Sequence, residues 1–177
     1  MNGDWFWWGQ KAFTGHEDAY ITVWIDLFNF LTYDQGMNNL LWVYSAANSW
    51  DPLLKKYYPG SEYVDIVGID VYNDAADTWF TDRDYQDIQS FGKPMGLTEF
   101  GPTLSTANGA YDYRRLVNAM VAKWPKLVCF SYSWHDWVEG GREIKVSFSS
   151  NQAVGDVLGR TKIITLDEME LDNTALH

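Results

Sequence analysis

Two kinds of hydrophobic segment alternate along the chain: short runs rich in β-branched and aromatic residues, and longer stretches with an apolar residue every three or four positions. The short runs predict strands, and because they are apolar almost throughout, they are typical of parallel strands that are buried on both faces. The longer stretches predict amphipathic helices. The predicted strands are residues 39–44, 63–72, 93–99 and 127–134.

Helical spacing is clearest over residues 17–33 and 112–123, and Pro125 marks the end of the second helix. A weaker helix is predicted after Asn151, which is a suitable N-cap. Residues 74–91 predict a loop with one short helix. The resulting order is βαβα within a single domain, residues 1–177, and four strands with their crossovers are half of a (β/α)8 barrel.

Polar or hydrogen-bonding residues lie at the C-terminal end of each of the four predicted strands, or just after it. In a (β/α)8 barrel the functional groups lie at the C-terminal ends of the strands, so these positions are candidate site residues. Solvation alone does not readily explain polar groups at the ends of four separate buried runs. The residues at these ends are Ser45, Asn48, Asp70, Tyr72, Glu99, Trp134 and His135.

Composition narrows the classes of partner. The formal net charge of −11 disfavours nucleic acid and anionic membrane surfaces as partners, and no apolar stretch approaches the length of about 18 residues needed to span a bilayer. Aromatic residues make up 17% of the chain and include ten Trp. The negative charge favours a neutral or cationic ligand. Exposed aromatic rings bind flat apolar surfaces, such as the C–H faces of sugar rings.

No cofactor is expected, and the metal-binding alternatives are weak. The lone Cys129 is best interpreted as a buried structural thiol, and neither His16 nor His135 has a carboxylate or Cys at ligand spacing. An acidic run lacks the regular alternation of a calcium loop and fits a solvated rim; it comprises Asp74, Asp77, Asp82, Asp84 and Asp87. The first residues show no basic region followed by an apolar stretch, so no signal peptide is predicted and the location stays unknown.

Glu99 is the strongest single candidate for chemistry. It follows the apolar segment Met95-Gly96-Leu97, so its carboxylate is expected at the rim where the strand emerges. The alternative is a Glu in a turn, which the nearby Gly101 and Pro102 also favour, and the segment alone does not decide between the two. Retaining glycosidases pair two carboxylates about 5–5.5 Å apart, one as nucleophile and one as acid, and Glu99 suits either role.

Five motifs together resemble the glycoside hydrolase family 26 β-mannanases. They cover nearly the whole chain in the family's order and are Trp5-Phe6-Trp7-Trp8-Gly9, Asn39 through Ser45, Tyr57-Tyr58-Pro59-Gly60, Val64 through Tyr72, and Lys93 through Gly101. The resemblance implies a (β/α)8 TIM-barrel fold with Glu99 as nucleophile at the end of the seventh strand. The chain is then expected to hold strands five to eight, the C-terminal part of one catalytic domain, with the acid/base Glu falling just before Met1.

The same resemblance implies roles for residues around Glu99. Tyr72 matches the tyrosine that hydrogen-bonds the nucleophile, and a phenol that donates to Glu99 stabilises its ionised form; the alternative is a core tyrosine. Trp134 matches the aromatic platform under the sugar, where a buried Trp without a ligand role is the alternative, and His135 departs from the usual pattern. The predicted substrate-binding residues are Trp5, Trp134, Asp70 and His135.

The implied activity is the retaining hydrolysis of β-1,4-mannosidic bonds in mannan, glucomannan or galactomannan. Loss of a general acid typically costs about 10²–10⁴-fold, so the chain alone is expected to be nearly inactive. Three alternatives stay open: a half-barrel that binds mannan without cleaving it, a mixed-linkage β-glucanase or xylanase on the same scaffold, and two copies that pair to complete a barrel. The last needs Asp4 or Asp70 as acid in trans and is the least favoured. Intact family members are typically secreted or on the cell surface.

Overall fold

A computed structural model describes residue 7 and residues 10–47, 53–73, 80–102, 109–130, 136–145 and 147–151. At its centre lies a four-stranded parallel sheet in the order β1-β2-β3-β4. The strands are β1 (Val43–Ala47), β2 (Ile66–Tyr72), β3 (Met95–Gly101) and β4 (Leu127–Phe130). Each strand pairs with the next one along the chain, which confirms the predicted succession of parallel strands.

The first strand begins later than the hydrophobic pattern predicts. Residues 39–42 precede β1, and the backbone N–H of Trp42 donates to Asp65 Oδ2 at 2.8 Å. Because the Asp65 side chain accepts this hydrogen bond, the N–H of Trp42 is satisfied without a partner in a neighbouring strand. The second predicted strand also starts later, since Ser61–Tyr63 form a 3₁₀ turn before it.

Five α-helices accompany the strands in the described part of the chain: α1 (Gln10–Phe13), α2 (Glu17–Asn29), α3 (Leu53–Lys56), α4 (Asp82–Gln89) and α5 (Tyr113–Lys123). A π-helical turn, Phe30–Asp34, extends α2, so the helices predicted over 17–33 and 112–123 are both confirmed. Helix α4 is the short helix predicted within 74–91, whereas the helix predicted after Asn151 lies outside the described residues. Among the described helices, none has the length and apolar character needed to cross a bilayer.

Side-chain caps fix where α4 and α5 begin. Thr81 accepts a hydrogen bond from the N–H of Asp84, and the carboxylate of Asp84 accepts one from the N–H of Thr81, which is a capping box. Asp112 caps α5 by accepting the N–H of Arg114 at 3.0 Å. These caps satisfy N–H groups that have no partner inside the helix, and so they stabilise the first turn of each helix.

One face of β2 and β3 forms the core. Its side chains are almost fully buried and are Val67, Ile69, Val71, Met95, Leu97 and Phe100. Phe100 contacts Tyr113 of α5 edge to face, with ring centroids 5.5 Å apart, and Phe80 contacts Trp124 in the same way at 4.7 Å. Because apolar side chains on this face pack against the helix layer, the opposite face of the same strands is left for polar residues.

Helix α2 is attached differently, since none of its residues is fully buried. It contacts the rest of the fold through aromatic pairs: Tyr20 with Tyr57 at 5.5 Å, Trp24 with Tyr44 at 6.0 Å, and Phe28 with Tyr63 at 5.2 Å between ring centroids. Two of its other apolar side chains, Val23 and Leu27, are exposed, and so are Leu41 just before β1 and Val43 at its start.

A small hairpin follows the sheet. Its strands β5 (Trp137–Glu139) and β6 (Arg142–Ile144) pair antiparallel across the two-residue turn Gly140-Gly141. Both glycines have positive φ, 58° and 75°, which is the conformation that tight hairpin turns require and that other residues seldom adopt. Asp136 fixes the position of the hairpin by accepting the N–H of Ser147 at 2.8 Å.

Candidate active site

The register of the sheet gathers polar side chains on the face opposite the core. Ser45 lies opposite Gly68, Asp70 opposite Glu99, and Tyr72 opposite Gly101. Paired residues share a face, and so do residues two apart along one strand. The group that results is called the polar face below, and it comprises Ser45, Gly68, Asp70, Tyr72, Thr98 and Glu99.

Tyr72 and Glu99 meet on the polar face. The phenol of Tyr72 donates a hydrogen bond to Glu99 Oε2 at 3.1 Å, and both side chains are partly buried. Glu99 stands near the C-terminal end of β3 and Tyr72 ends β2. The structure therefore brings together two of the residues predicted for the site, at the edge of the sheet where barrel enzymes hold their chemistry.

Asp70 lies beside this pair and is held by two hydroxyl groups. Ser45 Oγ donates to Asp70 Oδ1 at 2.6 Å and Thr98 Oγ1 donates to the same oxygen at 2.8 Å. Burial raises the pKa of Asp70 to about 6, and the nearby carboxylate of Glu99 adds to the rise, while the bonds from Ser45 and Thr98 oppose it. Near neutral pH the polar face can therefore hold Asp70 in either protonation state.

The hydroxyl oxygens of Ser45 and Thr98 are also within hydrogen-bond distance of each other. Three contacts thus join three side chains, but two hydroxyl groups supply only two protons. When Asp70 is protonated it supplies the third, and it then donates to one of the two hydroxyl groups instead of accepting from it. The geometry of this cluster therefore agrees with the raised pKa of Asp70.

A β-bulge in β3 sets the direction of Glu99. Ile69 pairs with Leu97, yet the next residue of β2, Asp70, pairs with Glu99. Thr98 is the extra residue, without a partner of its own in β2. The bulge is why Thr98 and Glu99, although adjacent in sequence, both belong to the polar face.

Gly68 makes room for the bulged residue. A Cβ atom built on Gly68 would overlap the side chain of Thr98, with Cγ2 and Oγ1 as the atoms in conflict. A larger residue at position 68 would therefore displace Thr98. Sequence reasoning gave neither Thr98 nor Gly68 a role; the available signal was a polar residue inside an apolar strand together with a glycine inside the preceding one.

Several other residues predicted for the site cannot be placed relative to this cluster. Trp5, Trp134 and His135 lie outside the described residues, as does Asn48. Within the described ranges, no three His, Cys, Asp or Glu side chains converge in a way that suits a metal ion. The described part of the site thus consists of a hydrogen-bonded pair, Tyr72 and Glu99, next to the cluster of Ser45, Asp70 and Thr98.

Comparison with known proteins identifies the family to which this chain belongs. Residues 1–153 match the family described as glycosyl hydrolase family 26. The chain belongs to that family. It is 33% identical over 174 residues to the mannan endo-1,4-β-mannosidase A and B of Caldalkalibacillus mannanilyticus, covering 96% of this chain and 31% of that relative. It is 36% identical over 140 residues to the mannan endo-1,4-β-mannosidase of Bacillus subtilis, covering 77% of this chain and 37% of the relative.

A solved family 26 structure agrees in fold. The chain superposes on the Bacillus subtilis mannanase BCman with a TM-score of 0.75 at 30% identity, covering 91% of this chain and 45% of that one. This confirms the predicted fold, an α/β chain of the (β/α)8 type that corresponds to about half of such a barrel. The chain spans about a third of the length of the two curated relatives.

Proposed function

We propose that this chain carries Glu99 as the nucleophile of a retaining β-mannanase. The observation that carries the proposal is the hydrogen bond from Tyr72 to Glu99 on the polar face, at the C-terminal edge of a parallel sheet. Membership of glycosyl hydrolase family 26 supports the reaction class. The names of the relatives, which are mannan endo-1,4-β-mannosidases, support β-mannan as the substrate.

In the proposed reaction, a carboxylate oxygen of Glu99 attacks the anomeric carbon. The C–O bond to the leaving sugar breaks, its electron pair stays on the leaving oxygen, and a proton from an acid neutralises that oxygen. Because Tyr72 holds Oε2, Oε1 is the oxygen left to attack. Water then attacks the same anomeric carbon and gives its proton to the conjugate base of that acid, while the bond to Glu99 breaks and the original configuration is restored.

Asp70 is proposed to bind the sugar beside Glu99. The described hydrogen bonds to Asp70 all end on Oδ1, so Oδ2 is the oxygen offered to a sugar hydroxyl. Trp5 and Trp134 are proposed to complete the subsite by contact with the sugar ring, as the family resemblance implies. His135 departs from the family's usual pattern and is proposed to bind the sugar next to Trp134. The partner acid, expected just before Met1 on the same ground, stays a prediction.

A mechanism-based label tests Glu99 without needing that acid. A 2,4-dinitrophenyl 2-deoxy-2-fluoro-β-mannobioside has a leaving group that departs unprotonated, and its fluorine slows the release of the glycosyl-enzyme. We expect the full chain to gain one fluoromannobiosyl unit on the peptide that contains Glu99, as measured by mass spectrometry. The matched Glu99→Gln variant should gain none. Labelling of the variant, or of a peptide that lacks Glu99, would refute the proposal.

The same preparation separates the alternatives. Retention of the chain on insoluble mannan with no label on Glu99 would favour a half-barrel that binds without cleaving. Faster labelling by the corresponding cellobioside or xylobioside would move the substrate toward β-glucan or xylan. A dimer mass in light scattering, together with turnover of unactivated mannan, would favour two copies that complete one barrel.

A further inference from the structure

We propose that Thr98 is a positioning residue for the nucleophile. As the extra residue of the bulge, it turns Glu99 onto the polar face, and its hydroxyl group locks the bulge to Asp70 and Ser45. This inference rests on the proposed role of Glu99 and explains what sets the direction of its carboxylate.

The first step is the alternation of side chains along β3. Met95, Leu97 and Phe100 point to the core, where they are 2%, 0% and 1% exposed. In a regular strand, Glu99 would share the face of Leu97, since residues two apart point the same way. The bulge adds one residue between them, so Glu99 pairs with Asp70 and lies on the opposite face.

The second step is what keeps the bulge in place. A bulged residue leaves the backbone ladder locally incomplete, so some other interaction must hold it. Here the Thr98 hydroxyl group donates to Asp70 of β2 at 2.8 Å and lies against the hydroxyl group of Ser45 in β1. One side chain therefore ties the bulge of β3 to both preceding strands.

The third step is the fit around Thr98. A Cβ atom on Gly68 would overlap the Thr98 side chain, so the side chain occupies a space that only glycine leaves open. With glycine on one side and two polar partners beside it, Thr98 has little freedom to rotate. A fixed Thr98 in turn fixes the backbone direction from which the Glu99 side chain starts.

The experiment compares Thr98→Val, which keeps the shape and removes the hydroxyl group, with Thr98→Ser, which keeps the hydroxyl group. The readout is the labelling of Glu99 by the fluoromannobioside, separated into a maximal rate and a half-saturating concentration. For Thr98→Val we expect the maximal rate to fall by about 10²-fold, the order of loss that follows from a misplaced reacting group. The half-saturating concentration should change little. Thr98→Ser should stay within about threefold of the wild type.

Two further variants make the test specific. Thr22→Val makes the same chemical change on the exposed side of α2 and should label at the wild-type rate. Ser45→Ala removes one of the two partners of Thr98 and should give an intermediate loss, which keeps the inference testable if Thr98→Val does not fold. Labelling of Thr98→Val at the wild-type rate, or equal losses in Thr98→Val and Thr98→Ser, would overturn the inference.

A crystal structure of Thr98→Val provides a readout that needs no reactivity. We expect the carboxylate of Glu99 to lie beyond hydrogen-bond distance of the Tyr72 hydroxyl group; an unchanged bond would refute the positioning role whether or not the wild type is labelled. Failure of the wild type to label, with Glu99 displaced in the variant, would instead refute the proposed function and leave the bulge as the element that directs Glu99.

Discussion

Replacing Asp70 with asparagine removes a carboxylate that the sheet holds largely buried beside Glu99. Burial raises the pKa of Asp70 from its ordinary 3.8 to about 6, and the carboxylate of Glu99 adds to that rise. The folded chain therefore binds a proton at Asp70 more tightly than the unfolded chain does. The stability that this proton contributes is fully present below pH 3.8 and is lost as the pH rises through about 6.

The size of the effect follows from the shift. Each pKa unit corresponds to about 1.36 kcal/mol, so a rise of roughly two units sets an upper value of about 3 kcal/mol. Solvent reaches part of the side chain, and we therefore expect Asp70→Asn to stabilise the chain by about 1–3 kcal/mol above pH 7. For a chain of this size that corresponds to a rise in Tm of about 2–12 °C. The asparagine oxygen can still accept the hydroxyl groups of Ser45 and Thr98.

Urea unfolding, followed by Trp fluorescence at pH 4.5, 6 and 8, measures this effect. The difference in the free energy of unfolding between Asp70→Asn and the wild type should be small at the lowest pH and grow toward pH 8. Asp26→Asn makes the same change at an exposed position of α2 and controls for the loss of one negative charge. A stability difference that is constant across the pH range would contradict the inference that burial raises the pKa of Asp70. So would an Asp70→Asn variant that is less stable than the wild type at pH 8.

Three further predictions concern single side chains. Tyr72→Phe removes the donor to Glu99 and should slow the labelling of Glu99 by about 10-fold or more, since hydrogen bonds to charged groups contribute about 1.5–3 kcal/mol; an unchanged rate would show that the phenol is only structural. Asp112→Ala removes the cap of α5 and should cost about 1 kcal/mol in urea unfolding at neutral pH. Because hydrogen bonds from Arg114 lower the pKa of Asp112, that cost should fade at acidic pH, as the carboxylate protonates in the wild type; a cost that persists at acidic pH would contradict this. Thr81→Ala breaks the capping box of α4 and should also cost about 1 kcal/mol, whereas Thr81→Ser should restore most of it; equal losses in both variants would argue against the cap.

The sequence was sufficient to predict the order of the strands and the candidate nucleophile. Strands β2 and β3 are apolar runs of the kind that a parallel sheet buries, and Glu99 follows its run directly, so its place near the strand end could be inferred from neighbouring residues alone. The pairing of Tyr72 with Glu99 came from the family resemblance, because no local pattern links two strands that are distant along the chain.

The bulge was not predictable in the same way. It depends on which residue of β2 faces each residue of β3, and hydrophobic periodicity does not fix that register to within one residue. Thr98 therefore looked like an ordinary strand residue. The hairpin, in contrast, was predictable, because Gly140-Gly141 between two short runs is a recognised turn signal. The late start of β1 depends on Asp65, whose side chain accepts the backbone N–H of Trp42. Hydrophobic periodicity does not show such a contact between distant segments.

The loose attachment of α2 has a consequence for how the chain opens. Helix α2 is held by ring contacts, by one hydrogen bond from Trp24 Nε1 to the carbonyl of Tyr63, and by an ion pair between Glu17 and Lys56. Because none of its side chains is fully buried, it can detach while β2 and β3 keep their core. Amide hydrogens of α2 should therefore exchange with deuterium well before those of the central strands. Detachment of α2 would expose Tyr44 and Trp42 at the β1 edge of the sheet. We therefore expect proteases to cut first in α2 and not in β3, which carries Glu99.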